Sequence, residues 1–273
     1  MVSATFRFYG ELNNFLPRER RGRELATPCA RDATVKHMIE ALGVPHTEVE
    51  LVLANGAPAG FGRILLDGDR VAAYPAFGLF ELHRVASMQL LRHWPLERLR
   101  FVADAHLGAL VRLLRMAGYD TLYDNHFHDD EIERVARDQG RVLLTRDREL
   151  LKRRTVELGC YVHAIDPAQQ LRELFRRLRL AGGTRPFSLC LHCNLPLHAV
   201  ALEDVRERVP PRVAQIRQEF TACGACRRVY WKGSHYERMR GLLENVAAGV
   251  EVAAAAAAPE VELAGPVTPQ SHS

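Results

Sequence analysis

The stretch RVLLTRDREL, residues 141–150, decides the fold. Val142 to Thr145 is a short, wholly apolar run closed by a threonine, the pattern of a strand buried on both faces. Such strands belong to parallel sheets covered by helices. RELLKRR, from Arg148, begins a helix. Asp147 stands between the two. A carboxylate there is either a helix cap, accepting orphan backbone N–H groups, or a ligand for a hard cation.

The flanking sequence alternates as a parallel sheet requires. FVAD (101–104) is a strand, and AHLGALVRLLRMAG (105–118) is an amphipathic helix with Gly118 at its C-cap. TLYD (121–124) is a second strand. DDEIERVARDQG (129–140) is a helix with acids at its start and Gly140 at its close. RVLLT is the third strand. CYVHAI (160–165) is the fourth, and PAQQLRELFRRLRLAG follows it as a helix. Strand–helix alternation implies right-handed crossovers and an α/β fold. Working groups in such a sheet lie at the carboxyl ends of its strands.

Acids stand at each of these ends. Asp104 ends the first strand, Asp124 the second and Asp166 the fourth. Asp129 and Asp130 open the second helix, and Asp147 follows the third strand. One such acid reads as an N-cap. Several on one edge repel each other and raise each other's pKa unless cations are present. The gain from gathering them is Mg²⁺ or Mn²⁺ held by oxygen ligands. His106, His126 and His128 lie nearby; the H-x-H pair suits Zn²⁺, phosphate contact is a second role, and solvated loop residues are the commoner reading.

The composition is globular: 273 residues, 47% hydrophobic and 26% charged, enough for two or three domains. The net charge is +4, and only Lys36, Lys152 and Lys232 of the 37 basic residues are lysines. Arginine suits phosphate by its planar fork, and genomic base composition enriches it equally well. No secretion signal and no apolar run of about 20 residues is seen, so the expectation is a cytoplasmic protein with no membrane span.

Ahead of the sheet, residues 1–82 read strand, helix, strands. ATFRFYGEL (4–12) alternates like an edge strand, and TVKHMIEALG (34–43) has helical spacing. VELVLANGAP (49–58) meets a hairpin turn at Asn55-Gly56. That order is a β-grasp module. It resembles the ubiquitin-like sulfur carriers, which share a run like LLDGDRVAAYP (65–75). The carriers end in Gly-Gly, whereas here AFGLFEL follows and the chain continues. The module is therefore expected to dock a protein partner rather than carry sulfur.

Behind the sheet lie Cys190-x-x-Cys193 and Cys223-x-x-Cys226. Two such pairs are a structural Zn²⁺ signature; a redox role would need only one. After the second pair, Arg227, Arg228, Trp231 and Lys232 mix aromatic and basic character. That mixture suits stacking of single-stranded bases and holding of phosphates, and equally suits ribbon packing with solvated charge.

The motifs FVADAHLGALVRLLRMAGYDTLYD, HDDEIERVA and RVLLTRDRELLKR resemble the PIN-like RNase domain named after the C-terminal region of the Mut-seven exonuclease. CLHCN, RVPPRV and CGACRRVYWKGSHYERM resemble the zinc ribbon that accompanies it. The resemblance covers roughly residues 100–240, and the family often carries a β-grasp domain in front. It implies a metal-dependent ribonuclease with Asp104, Asp129 and Asp147 as Mg²⁺ or Mn²⁺ ligands. Asp130 is an alternative to Asp129, and Asp124 and Asp166 are candidates for a fourth acid. Thr145 is placed to orient Asp147. RNA, single-stranded, is the implied partner. The rival reading is a non-catalytic RNA-binding protein whose acids serve only as caps. The expected order is a β-grasp domain at 1–82, a linker at 83–99, a PIN-like α/β/α nuclease at 100–183, a zinc ribbon at 184–242 and a disordered tail at 243–273.

Overall fold

The structure, a computed structural model, describes residues 1–75, 91, 99–178, 180 and 185–256. The first sheet has five strands: β1 (Val2–Phe8), β2 (Leu25–Cys29), β3 (Val49–Ala54), β4 (Ala57–Pro58) and β5 (Arg70–Pro75). Their order is β2-β1-β5-β3-β4, with β1 and β5 parallel. One helix, α1 (Val35–Ala41), crosses this sheet, and the Thr34 hydroxyl caps it by accepting from His37 N at 3.2 Å. This is the expected β-grasp. Its first strand is central rather than an edge, because β1 pairs on both sides. The Asn55-Gly56 turn joins β3 to β4 with φ of 53° and 83°, which only such residues adopt cheaply.

The second sheet holds β6 (Phe101–Ala103), β7 (Thr121–Leu122), β8 (Val142–Thr145) and β9 (Gly159–Tyr161). All are parallel, in the order β7-β6-β8-β9. Helices cover both faces, as the apolar strands demand. On one face lie α2 (Gly108–Met116) and α5 (Pro167–Leu178), built around Phe101, Leu114 and Leu174. On the other lie α3 (Asp129–Gln139) and α4 (Arg148–Lys152), packed through Ile132, Leu143 and Leu150. Gly118 ends α2 at φ +92°, and a Cβ there would lie 2.4 Å from the Arg185 carbonyl oxygen. A glycine is thus needed twice over, for the turn and for the close approach of the chain leading to the ribbon.

The ribbon has three antiparallel strands, β10 (Leu197–Val200), β11 (Phe220–Cys223) and β12 (Val229–Trp231). Two short helices, α6 (Leu202–Val205) and α7 (Pro211–Ile216), lie between the cysteine pairs, and the chain breaks at Pro210-Pro211 as its sequence suggests. The expected disordered tail needs correction. Helix α8 runs over Ser234–Ala256, and Leu243 and Val246 are buried in the core of the second sheet beside α5. Alanine-rich sequence has the highest helix propensity, and two apolar side chains one turn apart give it a face to bury. Most of the linker at 83–99, and the tail beyond Ala256, lie outside the described residues.

The β-grasp domain docks on the second sheet beside β9. Glu48, 2% exposed, accepts from Tyr161 N at 2.7 Å and pairs with the Arg177 guanidinium. Arg177 also meets Glu11 at 3.2 Å. His46 Nε2 lies 3.0 Å from the Val156 carbonyl. The Phe15 ring packs edge-on against Tyr161, with centroids 5.2 Å apart.

Candidate functional site

In the order β7-β6-β8-β9 the chain turns back between β6 and β8. Ligands of open α/β sheets bind at the carboxyl ends beside such a reversal. Asp104 leaves β6 there, and Thr145 closes β8 there. The Thr145 hydroxyl donates to Asp104 Oδ2 at 2.7 Å and accepts from Asp147 N at 2.9 Å. Thr145 is fully buried, Asp104 half-buried and Asp147 exposed. One hydroxyl therefore holds the Asp104 carboxylate and the Asp147 main chain at the mouth of the reversal.

Asp147 takes the capping role that the sequence offered. Its Oδ1 accepts from Glu149 N at 2.7 Å and from Leu150 N at 3.4 Å, which caps α4. Its Oδ2 makes no hydrogen bond among the described residues. Asp129 and Asp130 stand at the start of α3 and are exposed. Arg153 spans them, at 3.3 Å from Asp129 and 2.6 Å from Asp130, and also meets Glu133 at 2.7 Å. Asp124 Oδ1 accepts from His126 N at 2.9 Å, a local turn. Asp166 caps α5 by accepting from Gln169 N at 2.9 Å. The structure thus joins Asp104 to Asp147 through Thr145 and pairs Asp129 with arginine.

Among the described residues, the one group of three or more metal-ligating side chains with ligand atoms all within 4.8 Å is Cys190, Cys193, Cys223 and Cys226. A Zn–S bond of about 2.3 Å in a tetrahedron puts sulfurs about 3.8 Å apart. Cys190 Sγ and Cys226 Sγ are 3.6 Å apart, so the set could hold a metal ion of that kind. The two knuckles are near-copies. Asn194 N donates to the Cys190 carbonyl at 2.9 Å, and Arg227 N donates to the Cys223 carbonyl at 3.0 Å. Asn194 and Arg227 both take positive φ, 62° and 59°. Burial opposes ionisation of Cys190. Hydrogen bonds from the Tyr230 hydroxyl and from backbone N–H groups outweigh it and bring the thiol down to about 6. Cys193 goes the other way, to about 12, through desolvation and its neighbouring thiols. Sulfurs this close share charge that a divalent cation would neutralise.

The first knuckle is fastened to the amino-terminal edge of the four-stranded parallel sheet, opposite Asp104. Arg115, buried at the end of α2, donates to the Leu191 and His192 carbonyls at 3.1 and 2.7 Å and to the Thr121 carbonyl. Asn194 accepts from Thr121 N at 3.0 Å and donates to Asp120 Oδ1 at 2.5 Å. Asp120 in turn holds Arg141 at 2.8 Å. Burial opposes the Asp120 charge, but Arg141, Asn194 and Arg100 outweigh it and hold its carboxyl below the usual range. Sequence reasoning did not find Arg115, Asp120, Arg141 or Asn194 as a group. The available signal was an asparagine directly after a C-x-x-C pair, where a left-handed residue ends the knuckle.

The aromatic and basic segment is divided. Arg227 and Arg228 are exposed. Lys232 is paired with Glu219 at 2.6 Å. Trp231 is half-buried, pairs in register with Phe220 and packs on the ribbon's apolar cluster. Trp231 and Lys232 also line a cleft of about 650 Å³ with Phe187, Tyr230 and Tyr236. No helix among the described residues is long and apolar enough to cross a membrane.

Comparison with known proteins agrees with this architecture. The Mut7-C ubiquitin model matches residues 1–81, and the Mut7-C RNAse domain model matches residues 99–243. Two crystal structures of small archaeal modifier protein 1 from Haloferax volcanii are similar at 21% and 22% identity. They cover 28% of this chain and 98% and 97% of their own, with TM-scores of 0.23 and 0.24. No curated protein matches. With the RNAse model spanning more than half of the sequence, the chain belongs to the Mut7-C RNAse domain family.

Proposed function

We propose that this protein is a metal-dependent ribonuclease that hydrolyses RNA phosphodiester bonds at the carboxyl edge of the β6–β9 sheet. The observation that carries the reading is the Asp104–Thr145–Asp147 chain of hydrogen bonds at the strand reversal, in a chain of the Mut7-C RNAse domain family. Asp104 and Asp147 would hold Mg²⁺ or Mn²⁺, with Asp129 as a third ligand from the start of α3. A divalent cation bound there polarises phosphoryl oxygens and acidifies water for in-line attack. The chain's own part is orientation. Thr145 fixes the Asp104 carboxylate, and the α4 cap fixes Asp147 so that its second oxygen faces outward. Asp129 can join when RNA or cation competes with Arg153 for it.

The four cysteines would hold one structural Zn²⁺. The ribbon would then brace the sheet from its far edge, through Arg115 and Asn194. The cleft beside Trp231 supports base stacking by the ribbon, while the Trp231–Phe220 packing supports a core role.

The test is Mn²⁺-dependent cleavage of labelled single-stranded RNA. Wild-type protein should cleave, and Asp104→Asn and Asp147→Asn should not. One observation favours the rival, a non-catalytic RNA-binding protein: Asp147 already has a complete capping role, and Asp129 is already paired. RNA binding without cleavage by the wild type would decide for that rival, and equal cleavage by wild type and both variants would remove Asp104 and Asp147 from the site.

A further inference from the structure

The acids of the carboxyl edge are flanked by two guanidinium groups that no acid among the described residues pairs with. Arg146 and Arg148 stand on either side of Asp147. Arg146 Nη1 donates to the Ala164 carbonyl at 2.5 Å and lies 3.5 Å from that of His163, just beyond β9. Arg148 Nη1 donates to the Phe15 carbonyl at 3.1 Å. Its guanidinium carbon lies 5.2 Å from the Phe15 ring centroid and 5.8 Å from that of Tyr161. Neither makes an ion pair among the described residues. Nearby arginines behave otherwise: Arg153 meets three acids, and Arg177 meets Glu11, Glu48 and Glu173.

A guanidinium fixed by carbonyl oxygens and ring faces keeps its full charge and most of its five donors. Its geometry is set before a ligand arrives. An edge carrying Asp104 and Asp147 repels a polyanion unless cations stand beside it. We propose that Arg146 and Arg148 form a clamp for the RNA phosphates next to the scissile bond, with Phe15 of the β-grasp domain as the positioning residue for Arg148. The β-grasp domain is then a wall of the active site. This inference rests on the ribonuclease reading above and deepens it.

Binding of a short labelled single-stranded RNA to the full chain, with added Mg²⁺ and Mn²⁺ left out, tests the clamp between about 50 and 200 mM salt. Each phosphate contact contributes about 0.7 to the slope of log affinity against log salt for single strands. Arg146→Gln and Arg148→Gln should each flatten the slope by about that much and weaken binding about fivefold near 0.1 M salt. Arg148→Lys should keep the slope, because it keeps the charge. Phe15→Leu should raise KM for cleavage with kcat nearly unchanged. Wild-type slopes in both glutamine variants of a protein that still cleaves RNA would overturn the clamp and leave the ribonuclease reading standing. A lowered melting temperature with an unchanged slope would reduce Arg148 to a domain-docking residue and overturn the clamp too. Wild-type protein that neither binds nor cleaves RNA would overturn both readings.

Discussion

The two edges of the β6–β9 sheet use the same residue types in opposite ways. At the amino-terminal edge Asp120 is bound by Arg141 and Asn194, and Arg115 is buried against the Leu191, His192 and Thr121 carbonyls. Donors and acceptors there are matched, as burial requires. At the carboxyl edge Asp104 and Asp147 share one hydroxyl, Asp147 keeps an open oxygen, and the neighbouring guanidinium groups hold only carbonyls and rings. One edge is closed and serves stability. The other is left with unspent charge of both signs, which is what a site needs for a charged substrate and a cation. Position relative to the sheet, rather than residue type, separates the buried, fully paired aspartate from the more open ones.

Five sets of variants can break or sharpen this contrast. The largest effect is expected at the closed edge. Cys190→Ser or Cys223→Ser should lose the metal and more than about 3 kcal/mol of stability, or about 6–12 °C of melting temperature. Elemental analysis and a melting curve check this, and a fully folded, zinc-free wild-type protein would refute it. Next comes the open edge. Asp104→Asn should lower cleavage at least about 100-fold, and Thr145→Val about 10–100-fold through its orienting hydroxyl. Neither Asp104→Asn nor Asp147→Asn should lower the melting temperature, since removing uncompensated charge relieves repulsion.

Asp120→Ala should be the converse, costing about 2–3 kcal/mol by leaving Arg141 buried without its acid, with the cleavage rate per folded molecule retained. Its pH dependence has a definite sign. The folded carboxyl of Asp120 is held below its unfolded value of about 3.9. Its contribution is therefore present above that pH and lost as pH falls through the folded value. The gap in stability between wild type and Asp120→Asn should narrow below about pH 4, as seen by urea unfolding across pH. The smallest effect belongs to Lys232→Ala. Its pair with Glu219 is solvent-exposed and contributes little to stability, so a clear drop in RNA affinity without a change in melting temperature would mark it as a phosphate contact. Trp231→Ala in the same assay separates stacking from packing: core loss should move melting temperature and zinc content together.

Much of the open edge was legible from local pattern. Strand and helix periods placed Asp104, Asp129 and Asp147 at junctions, and Gly118 and Gly140 marked helix ends. The cysteine spacing gave its sulfur cluster directly. The closed edge and the domain interface were not legible. Arg141 contacts Asp120 across 21 positions, Arg115 reaches His192 across 77 and Arg177 reaches Glu48 across 129. Among so many arginines, nothing local marks the few that are buried. The disordered tail was misjudged because its start was read from composition. Leu243 and Val246 belong to a core whose other members lie more than sixty positions away.

That last helix has a consequence for how the protein is made. The core around the parallel sheet includes Leu243 and Val246, so a nascent chain that has emerged only through α5 holds a sheet with part of one face still bare. The ribbon must be translated before the face can close, and its four cysteines come together in that interval. Synthesis from the N-terminus therefore finishes the parallel-sheet domain last, after both of its accessory modules have been made.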